Sequence, residues 1–179
     1  MKKIILLIIC VIYSLTSIGQ QIALSNTTSI DLPTRAEKLN KQQAISFAGN
    51  RFNNNKIALN TVNFFNTPHI YKIDNVLISL FTTTGSVEED HLMKLKRGSD
   101  ETSKKDKSYS SSIKVINNTR ILVTNDIVGN VEYYRFFCFS NTNTSNVTAI
   151  SGCLQFDKTD HDNGTNILND ILKSIKFTK

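Results

Sequence analysis

The clearest pattern in the sequence is a stripe of apolar residues with helical spacing between residues 161 and 177. The stripe consists of five positions that fall on one side of a helix: Ile167, Leu168, Ile171, Leu172 and Ile175. Polar and charged residues fill the opposite side. This spacing predicts an amphipathic helix whose apolar side packs against the rest of the fold.

Several short apolar runs before that helix predict β-strands. They are joined by brief polar segments and comprise residues 113–116, 120–128, 131–140 and 147–156. Short connections between consecutive strands favour an antiparallel meander. Residues 136–139 are apolar on both sides of the strand, so we expect a central strand that is covered on both faces. Our candidates for the core face are Phe136, Ile150, Leu154 and Phe156.

A capping pattern predicts the first helix of the chain. Residues 34–37 have the form Thr-x-x-Glu and follow a proline, which is typical of a helix start. We expect Ala36, Leu39 and Phe47 to be its buried positions. Residues 57–65 fit a strand or a second short helix equally well.

Turn residues divide the middle of the chain. Asp74 and Asn75 separate two apolar runs and tolerate positive φ angles, which predicts a tight hairpin. A second capping box at residues 86–89 predicts a short helix that ends at Gly98. The polar, lysine-rich residues 99–112 are expected to form a flexible loop.

The start of the chain has the features of a secretory leader. Two lysines, Lys2 and Lys3, precede an apolar run at residues 4–15 that is too short to span a bilayer of about 30 Å comfortably. Ser17 and Gly19 provide small residues for cleavage after Gly19. We therefore expect residues 1–19 to be a signal peptide that is removed.

Length and composition then describe the mature protein. The chain has 179 residues, of which 40% are hydrophobic and 20% charged, so residues 20–179 are expected to form a single α+β domain. Cys10 lies inside the apolar run without a small residue before it, so a lipid anchor is not expected. The protein is predicted to be exported, periplasmic or extracellular, with no membrane span after removal of the leader.

Only two cysteines lie beyond the leader, Cys138 and Cys153, and they fall on neighbouring predicted strands. Export places them in an oxidising compartment, where an even number of cysteines can pair. A disulfide needs Cα atoms within about 7 Å of each other. Two alternatives therefore stay open: a disulfide between Cys138 and Cys153, or two separate buried thiols.

The formal net charge of +6 does not indicate a nucleic-acid-binding protein. The densest basic run, residues 94–107, is interrupted by acidic residues, and Tyr109 is the only aromatic residue close to it. Nucleic-acid grooves combine basic residues on one face with interleaved aromatics. We expect a solvated loop here, with contact to an anionic surface as the alternative.

The acidic segment at residues 157–164 contains the only weak candidates for metal ligands, Asp160 and Asp162. The segment does not fit the calcium-loop pattern, because its glycine and its later residues fall out of frame. A solvated turn is the better interpretation, since negative charge is favourable near the start of the following helix. We therefore predict no metal site.

No catalytic or cofactor motif is present in the sequence. The histidines His69, His91 and His161 match no recognised metal or catalytic spacing. Cys153 follows Ser151-Gly152 inside a predicted strand without a base beside it in sequence, which favours a structural cysteine over a nucleophile. We predict a protein that is not an enzyme and that needs no cofactor.

The order of elements, together with the ending ILKSIKF after the glycine-containing strand 152–156, resembles the PsbP-like superfamily. That group includes photosystem II lumenal proteins and bacterial periplasmic proteins of the DcrB type. The resemblance implies a central antiparallel sheet of about six strands with helices on both faces. It also implies a protein that is not an enzyme and that binds proteins or stabilises assemblies, and it carries no site residues onto this chain.

Our leading hypothesis is therefore an exported, non-enzymatic protein that binds another protein or a component of the cell envelope. The first alternative is an immunity or chaperone-like protein for a secreted effector, and a more distant one is a hydrolase with an unrecognised site. The residues that look structural concentrate in 131–177. We therefore look for the working surface elsewhere, around residues 86–112.

Overall fold

The computed structural model describes residues 19–64, 67–88, 90–140 and 147–178, apart from the side chain of residue 64. The expected signal peptide and Cys10 lie outside these residues, apart from Gly19. In the described part, strands form a seven-stranded antiparallel sheet in the order β3-β4-β5-β9-β8-β7-β6. Its strands are β3 (Glu37–Leu39), β4 (His69–Ile73), β5 (Val76–Gly85), β6 (Ser110–Ile116), β7 (Thr119–Val128), β8 (Val131–Phe139) and β9 (Val147–Asp157).

Tight turns at the predicted positions connect the strands of this sheet. Asp74 has a φ of 52° and closes the β4–β5 hairpin, and Asn117 and Asn118 have φ values of 50° and 62° in the β6–β7 hairpin. Gly129, with a φ of 68°, lies in the β7–β8 turn. Asn, Asp and Gly tolerate this left-handed region at little cost, which is why the chain reverses there. The predicted hairpin and meander are confirmed.

Three strands that the apolar pattern did not single out form a second, smaller antiparallel sheet. They are β1 (Gln20–Ser25), β2 (Thr28–Leu32) and β10 (Lys176–Phe177), in the order β1-β2-β10. Strand β10 pairs with β2, so residues from the two ends of the described chain meet. The α+β class and the central antiparallel sheet are as predicted, with one strand more in the large sheet.

The helices of the described chain are α1 (Lys41–Arg51), α2 (Lys56–Phe64), α3 (His91–Thr102) and α4 (His161–Ser174). The first helix starts later than predicted. The Asn40 side chain accepts from the Gln43 backbone N–H at 2.9 Å, and the Gln43 side chain accepts from the Asn40 N–H at 2.8 Å. This complete capping box fixes the helix start. The Thr34-to-Glu37 pattern instead leads into a turn and strand β3, and Leu39 is buried there as a strand residue.

Helix α3 also differs from the prediction. It begins at His91, after Asp90, instead of at the 86–89 capping box, and it continues through Gly98 to Thr102. Gly98 therefore lies inside the helix. The predicted loop is correspondingly shorter, because β6 already starts at Ser110. Of residues 57–65, left open between strand and helix, residues 57–64 lie in α2 (Lys56–Phe64), and residue 65 lies outside the described residues.

One face of the large sheet, which we call the α4 face, is sealed by α4 and the small sheet. All five residues of the predicted helical stripe are buried there. So are all four predicted core residues, Phe136, Ile150, Leu154 and Phe156. Two glycines allow aromatic rings to approach closely: a Cβ on Gly152 would lie 2.1 Å from the Phe136 ring, and one on Gly164 would lie 2.4 Å from the Phe156 ring.

Cys138 and Cys153 are free and buried in the structure, so the disulfide alternative is not what is observed. The register explains why. Cys138 pairs with Ile150 and Cys153 with Arg135, which places the two cysteines three residues out of register. Because side chains alternate along a strand, Cys138 joins the core of the α4 face and Cys153 that of the opposite face.

The opposite face, which we call the groove face, is covered in two separate places. Helices α1 and α2 form a second apolar cluster over one end of this face, together with Leu77, Val131, Tyr133 and Cys153. Helix α3 packs over β6 and β7 at the other side. The middle residues of the central strands lie between the α1–α2 pair on one side and α3 on the other. Among the described residues, no helix is long and apolar enough to cross a bilayer.

Candidate functional site

A groove of about 940 Å³ lies on the groove face between α3 and the central strands. Its floor comes from β5, β9, β8 and β7, and its wall comes from α3 and the segment that follows. Binding sites for small molecules commonly have volumes of about 300–1,000 Å³ and mainly apolar walls with a few polar groups. The lining residues are Phe81, Lys94, Leu95, Gly98, Ser99, Thr102, Ser103, Tyr109, Leu122, Thr124, Arg135, Phe136, Phe137, Ser151 and Gly152.

The depth of the groove comes from a small residue between two aromatic ones. In the sheet register, Ser151 lies directly between Phe81 on β5 and Phe137 on β8. Phe137 also makes an edge-to-face contact with Phe139, with ring centroids 4.8 Å apart, which holds its ring in place. A serine side chain at the middle position leaves space that a larger residue would fill. The result is an aromatic-sided hollow in the centre of the sheet.

The α3 wall is held in place by an ionic and hydrogen-bonded network. Lys96 Nζ lies 2.6 Å from Asp100 Oδ2, and Asp100 Oδ1 accepts from the hydroxyls of Ser111 and Tyr109. The hydrogen bond from Lys96, followed by that from Ser111, lowers the pKa of Asp100. Burial raises the pKa of Tyr109. This network ties α3 to β6 and so keeps the groove open on one side.

One charged residue, Arg135, lies in the floor on the central strand β8. Its guanidinium carbon is 5.7 Å from the centroid of the Tyr133 ring, a cation–π distance. Arg135 is exposed and takes part in no salt bridge among the described residues. The lysine of the wall differs, because Lys94 pairs with both Glu88 and Asp90. Arg135 is therefore a cation that is available to a ligand.

A row of buried polar residues lies next to Arg135, towards α1 and α2. Gln155 is directly opposite both Leu77 and Tyr133, and Ser79 is opposite Cys153. The hydroxyls of Ser79 and Tyr133 and both amide atoms of Gln155 are buried without a hydrogen-bond partner in the described part of the chain. Unpaired polar groups of this kind destabilise a fold, typically by about 1–3 kcal/mol each. In the described part of the chain, the buried polar groups of the groove face are therefore less completely hydrogen-bonded than those of the α4 face.

Burial dominates the electrostatics of this row. It raises the pKa of the Tyr133 hydroxyl to about 12. It also raises the pKa of the Cys153 thiol to about 11, against the opposing charge and hydrogen bond of Arg135. A thiol with so high a pKa is neutral at physiological pH and is a poor nucleophile. Cys153 is therefore not a candidate nucleophile in this region.

The two residues singled out as weak metal candidates, Asp160 and Asp162, have different surroundings. Asp160 forms a salt bridge with Arg51, with Nη2 and Oδ2 2.7 Å apart, and Asp162 is exposed in the first turn of α4. Among residues 19–64, 67–88, 90–140 and 147–178, no three His, Cys, Asp or Glu side chains form a group that would hold a metal ion.

The three histidines lie apart from one another in different surroundings. His161 Nδ1 is 2.9 Å from the buried Glu132 carboxylate. The His91 ring packs edge-on against Phe139, with centroids 5.4 Å apart. His69 is on β4, where burial lowers its pKa. None of them lines the groove.

The groove residues were missed in the sequence because they are far apart in the chain. Two signals were present in retrospect. Arg135 is a charged residue within the mainly apolar and aromatic strand β8, and Gly98 lies inside a helix where glycine is unfavourable. The sequence led us to look for a working surface around residues 86–112, and this stays a prediction. The structure places part of this segment, α3 and Tyr109, in the groove wall.

Comparisons with known proteins found similarity to solved structures at the level of the fold. No family model matches the chain, and no curated protein matches it. Among solved structures, the mycobacterial protein LpqN, described as involved in cell envelope biogenesis of Mycobacterium tuberculosis, is similar with a TM-score of 0.52 and 8% identity. The match covers 90% of this chain and 91% of LpqN, so the two share a fold.

A second structural match is a protein from Bacteroides thetaiotaomicron VPI-5482. Its TM-score is 0.48 at 9% identity, and the match covers 90% of this chain. The chain spans about half of that protein, 49% of its length.

Proposed function

We propose that this protein is an exported, non-enzymatic binding protein that holds a small amphipathic component of the cell envelope in the groove beside α3. The observation that carries the proposal is the groove itself: a hollow of about 940 Å³ with aromatic sides and an available arginine in its floor. The apolar face of a sheet is normally covered by other elements of the fold. A hollow of ligand size over the centre of the sheet therefore favours a binding role.

The chemistry of the lining supports binding over catalysis. The lining residues include hydroxyl groups, a lysine and an arginine, but neither a histidine nor a carboxylate. The carboxylate of the α3 wall, Asp100, is held by Lys96, Ser111 and Tyr109, so it is not placed as the general base that a lining serine would need in a nucleophilic mechanism. The proposal therefore gives the groove no reaction to catalyse.

Two further observations agree with a role in the envelope. The leader pattern of residues 1–19 is typical of an exported protein. LpqN, which has a similar fold, is described as involved in cell envelope biogenesis. The PsbP-like resemblance supports the non-enzymatic part of the proposal, since members of that group are mostly not enzymes and bind proteins or stabilise assemblies.

A neutral apolar fluorescent probe, N-phenyl-1-naphthylamine, tests this proposal. We expect it to bind the protein with an increase in fluorescence, because the aromatic sides of the groove exclude water. Filling the hollow with Ser151→Leu should weaken binding by about tenfold or more, since the leucine takes the space between Phe81 and Phe137.

The matched control is Ser112→Leu, the same change at an exposed position on β6 outside the groove. It should leave the affinity unchanged. Melting temperatures of both variants establish that they fold. If the probe does not bind, or binds equally well to folded Ser151→Leu, the groove is not a binding site.

A further inference from the structure

The groove floor has a polar part and an apolar part, which follow each other along the direction of the strands. Arg135 and Thr124 lie directly opposite each other on β8 and β7. One step further along the strands, away from the buried polar row, lies the row of Phe81, Ser151 and Phe137. The polar and apolar parts of the floor are thus separated instead of mixed. A ligand that fits both parts has a polar end and an apolar body.

The polar end of the groove offers a single available positive charge. Lys94 is held by Glu88 and Asp90, and Lys96 is held by Asp100. Arg135 is the lining cation without such a partner in the described chain. A lone cation of this kind complements one negative charge on a ligand.

The geometry of an arginine narrows the class of anion. The planar guanidinium matches a carboxylate with two parallel hydrogen bonds, and the neighbouring Thr124 hydroxyl is a further donor. A phosphate group that carries close to two negative charges is usually held by several cations or backbone N–H groups, which this floor does not supply. A carboxylate, with one charge in a planar group, is the better match.

The apolar part of the floor is exposed and in line with this polar end. Phe81 is 40% exposed, which is unusual for an aromatic residue in the middle of a sheet face. Leu122 and Leu95 continue the apolar surface on β7 and α3. An unbranched alkyl chain that starts at Arg135 and lies over the Phe81–Ser151–Phe137 row would cover these groups.

We infer that the groove selects a single-chain amphiphile with one carboxylate head, and that Arg135 holds the carboxylate. This inference rests on the proposed function, because it names the ligand class for the same groove. The alkyl chain lies over the aromatic row, and α3 with its Asp100 network forms the side wall. Arg135 is the residue that distinguishes a carboxylate from an uncharged head group.

Competition for the bound N-phenyl-1-naphthylamine tests the ligand class with four molecules of equal chain length. Dodecanoate should displace the probe at a concentration about tenfold lower than dodecanol, because only dodecanoate pairs with the guanidinium. Dodecyltrimethylammonium should displace it least well, since its charge is repelled by Arg135. If dodecyl phosphate proves better than dodecanoate, or if all four are equal, the carboxylate assignment is wrong.

The residue is tested with Arg135→Gln. This change should reduce the preference for dodecanoate over dodecanol from about tenfold to about onefold, because the remaining amide carries no charge. The matched control, Arg97→Gln on the exposed side of α3, should keep the full preference. A preference that persists in Arg135→Gln assigns carboxylate recognition to another group and overturns the inference.

The proposed binding function and the carboxylate inference fail in distinguishable ways. If the probe does not bind the unmodified protein, the proposed binding function fails. If the probe binds, is excluded by Ser151→Leu, and is displaced equally by dodecanoate and dodecanol, the groove is a binding site and only the carboxylate inference fails.

Discussion

The two faces of the seven-stranded sheet are built from the same strands but are covered differently. On the α4 face, one helix and the small sheet form a continuous apolar cover, with glycines at 152 and 164 where aromatic rings press against the backbone. On the groove face, two helical units leave a hollow between them, with Arg135 in its floor and an unpaired polar row beside it.

This difference indicates that the two faces of the sheet serve different purposes. Close apolar packing provides most of the stability of a domain, and a single well-covered face supplies it efficiently. The other face then tolerates a hollow and buried polar groups, each of which destabilises the fold. Features that destabilise a protein without serving its packing are expected at working surfaces. The comparison thus assigns stability to the α4 face and agrees with the binding role that we propose for the groove face.

The largest effect should follow from a charge placed in the α4 face. Leu172 is 1% exposed, so Leu172→Asp buries a carboxylate without a partner and removes apolar contacts. We expect a loss of about 4 kcal/mol or more in the free energy of unfolding. Denaturant unfolding measures this loss. The control is Asn166→Asp, which introduces the same residue at an exposed position of α4 and should change the free energy of unfolding by no more than about 0.5 kcal/mol. A stable Leu172→Asp protein would contradict the assignment of stability to this face.

The sequence predicted the α4 face well because its signals are local. The helical stripe of α4 and the meander from β6 to β9 follow from spacing within short windows. The small sheet was not predicted, since β2 pairs with β10 across most of the chain length and each strand is short. The start of α1 was misplaced because two capping patterns compete there, and only Asn40 and Gln43 form both hydrogen bonds.

The groove was not predicted, for a different physical reason. A cavity is formed by the absence of bulk at positions that meet only in three dimensions, here Ser151 on β9 and Gly98 on α3. Ser151 has no distinctive pattern around it. The local signs were the charge of Arg135 in the central strand β8 and the glycine at 98 inside a helix. The choice between a disulfide and two separate thiols at Cys138 and Cys153 depends on the register of β8 and β9, which the sequence alone does not define.

The next prediction compares the same substitution on the two sides. Gly152→Ala places a methyl group 2.1 Å from the buried Phe136 ring, and we expect it to destabilise the protein by about 2 kcal/mol through overpacking. Gly98→Ala lies in α3, where an added Cβ meets nothing within 4 Å. It should stabilise the protein by about 0.5–1 kcal/mol, because alanine favours the helix. Both values come from denaturant unfolding. Equal effects at the two glycines would remove the contrast between a sealed face and an open one.

The smallest expected change tests the unpaired polar row directly. Gln155 is fully buried and neither of its amide atoms has a hydrogen-bond partner in the described part of the structure. Leucine has a similar size without the polar atoms, so Gln155→Leu should stabilise the protein by about 1 kcal/mol. Gln42→Leu, on the exposed side of α1, should change the stability by less than about 0.5 kcal/mol. A gain at Gln155 would mean that the groove face keeps a polar group at a cost in stability, as a working surface does. A loss would mean that the amide is satisfied in solution, and the contrast between the two faces would then rest on the hollow and Arg135 alone.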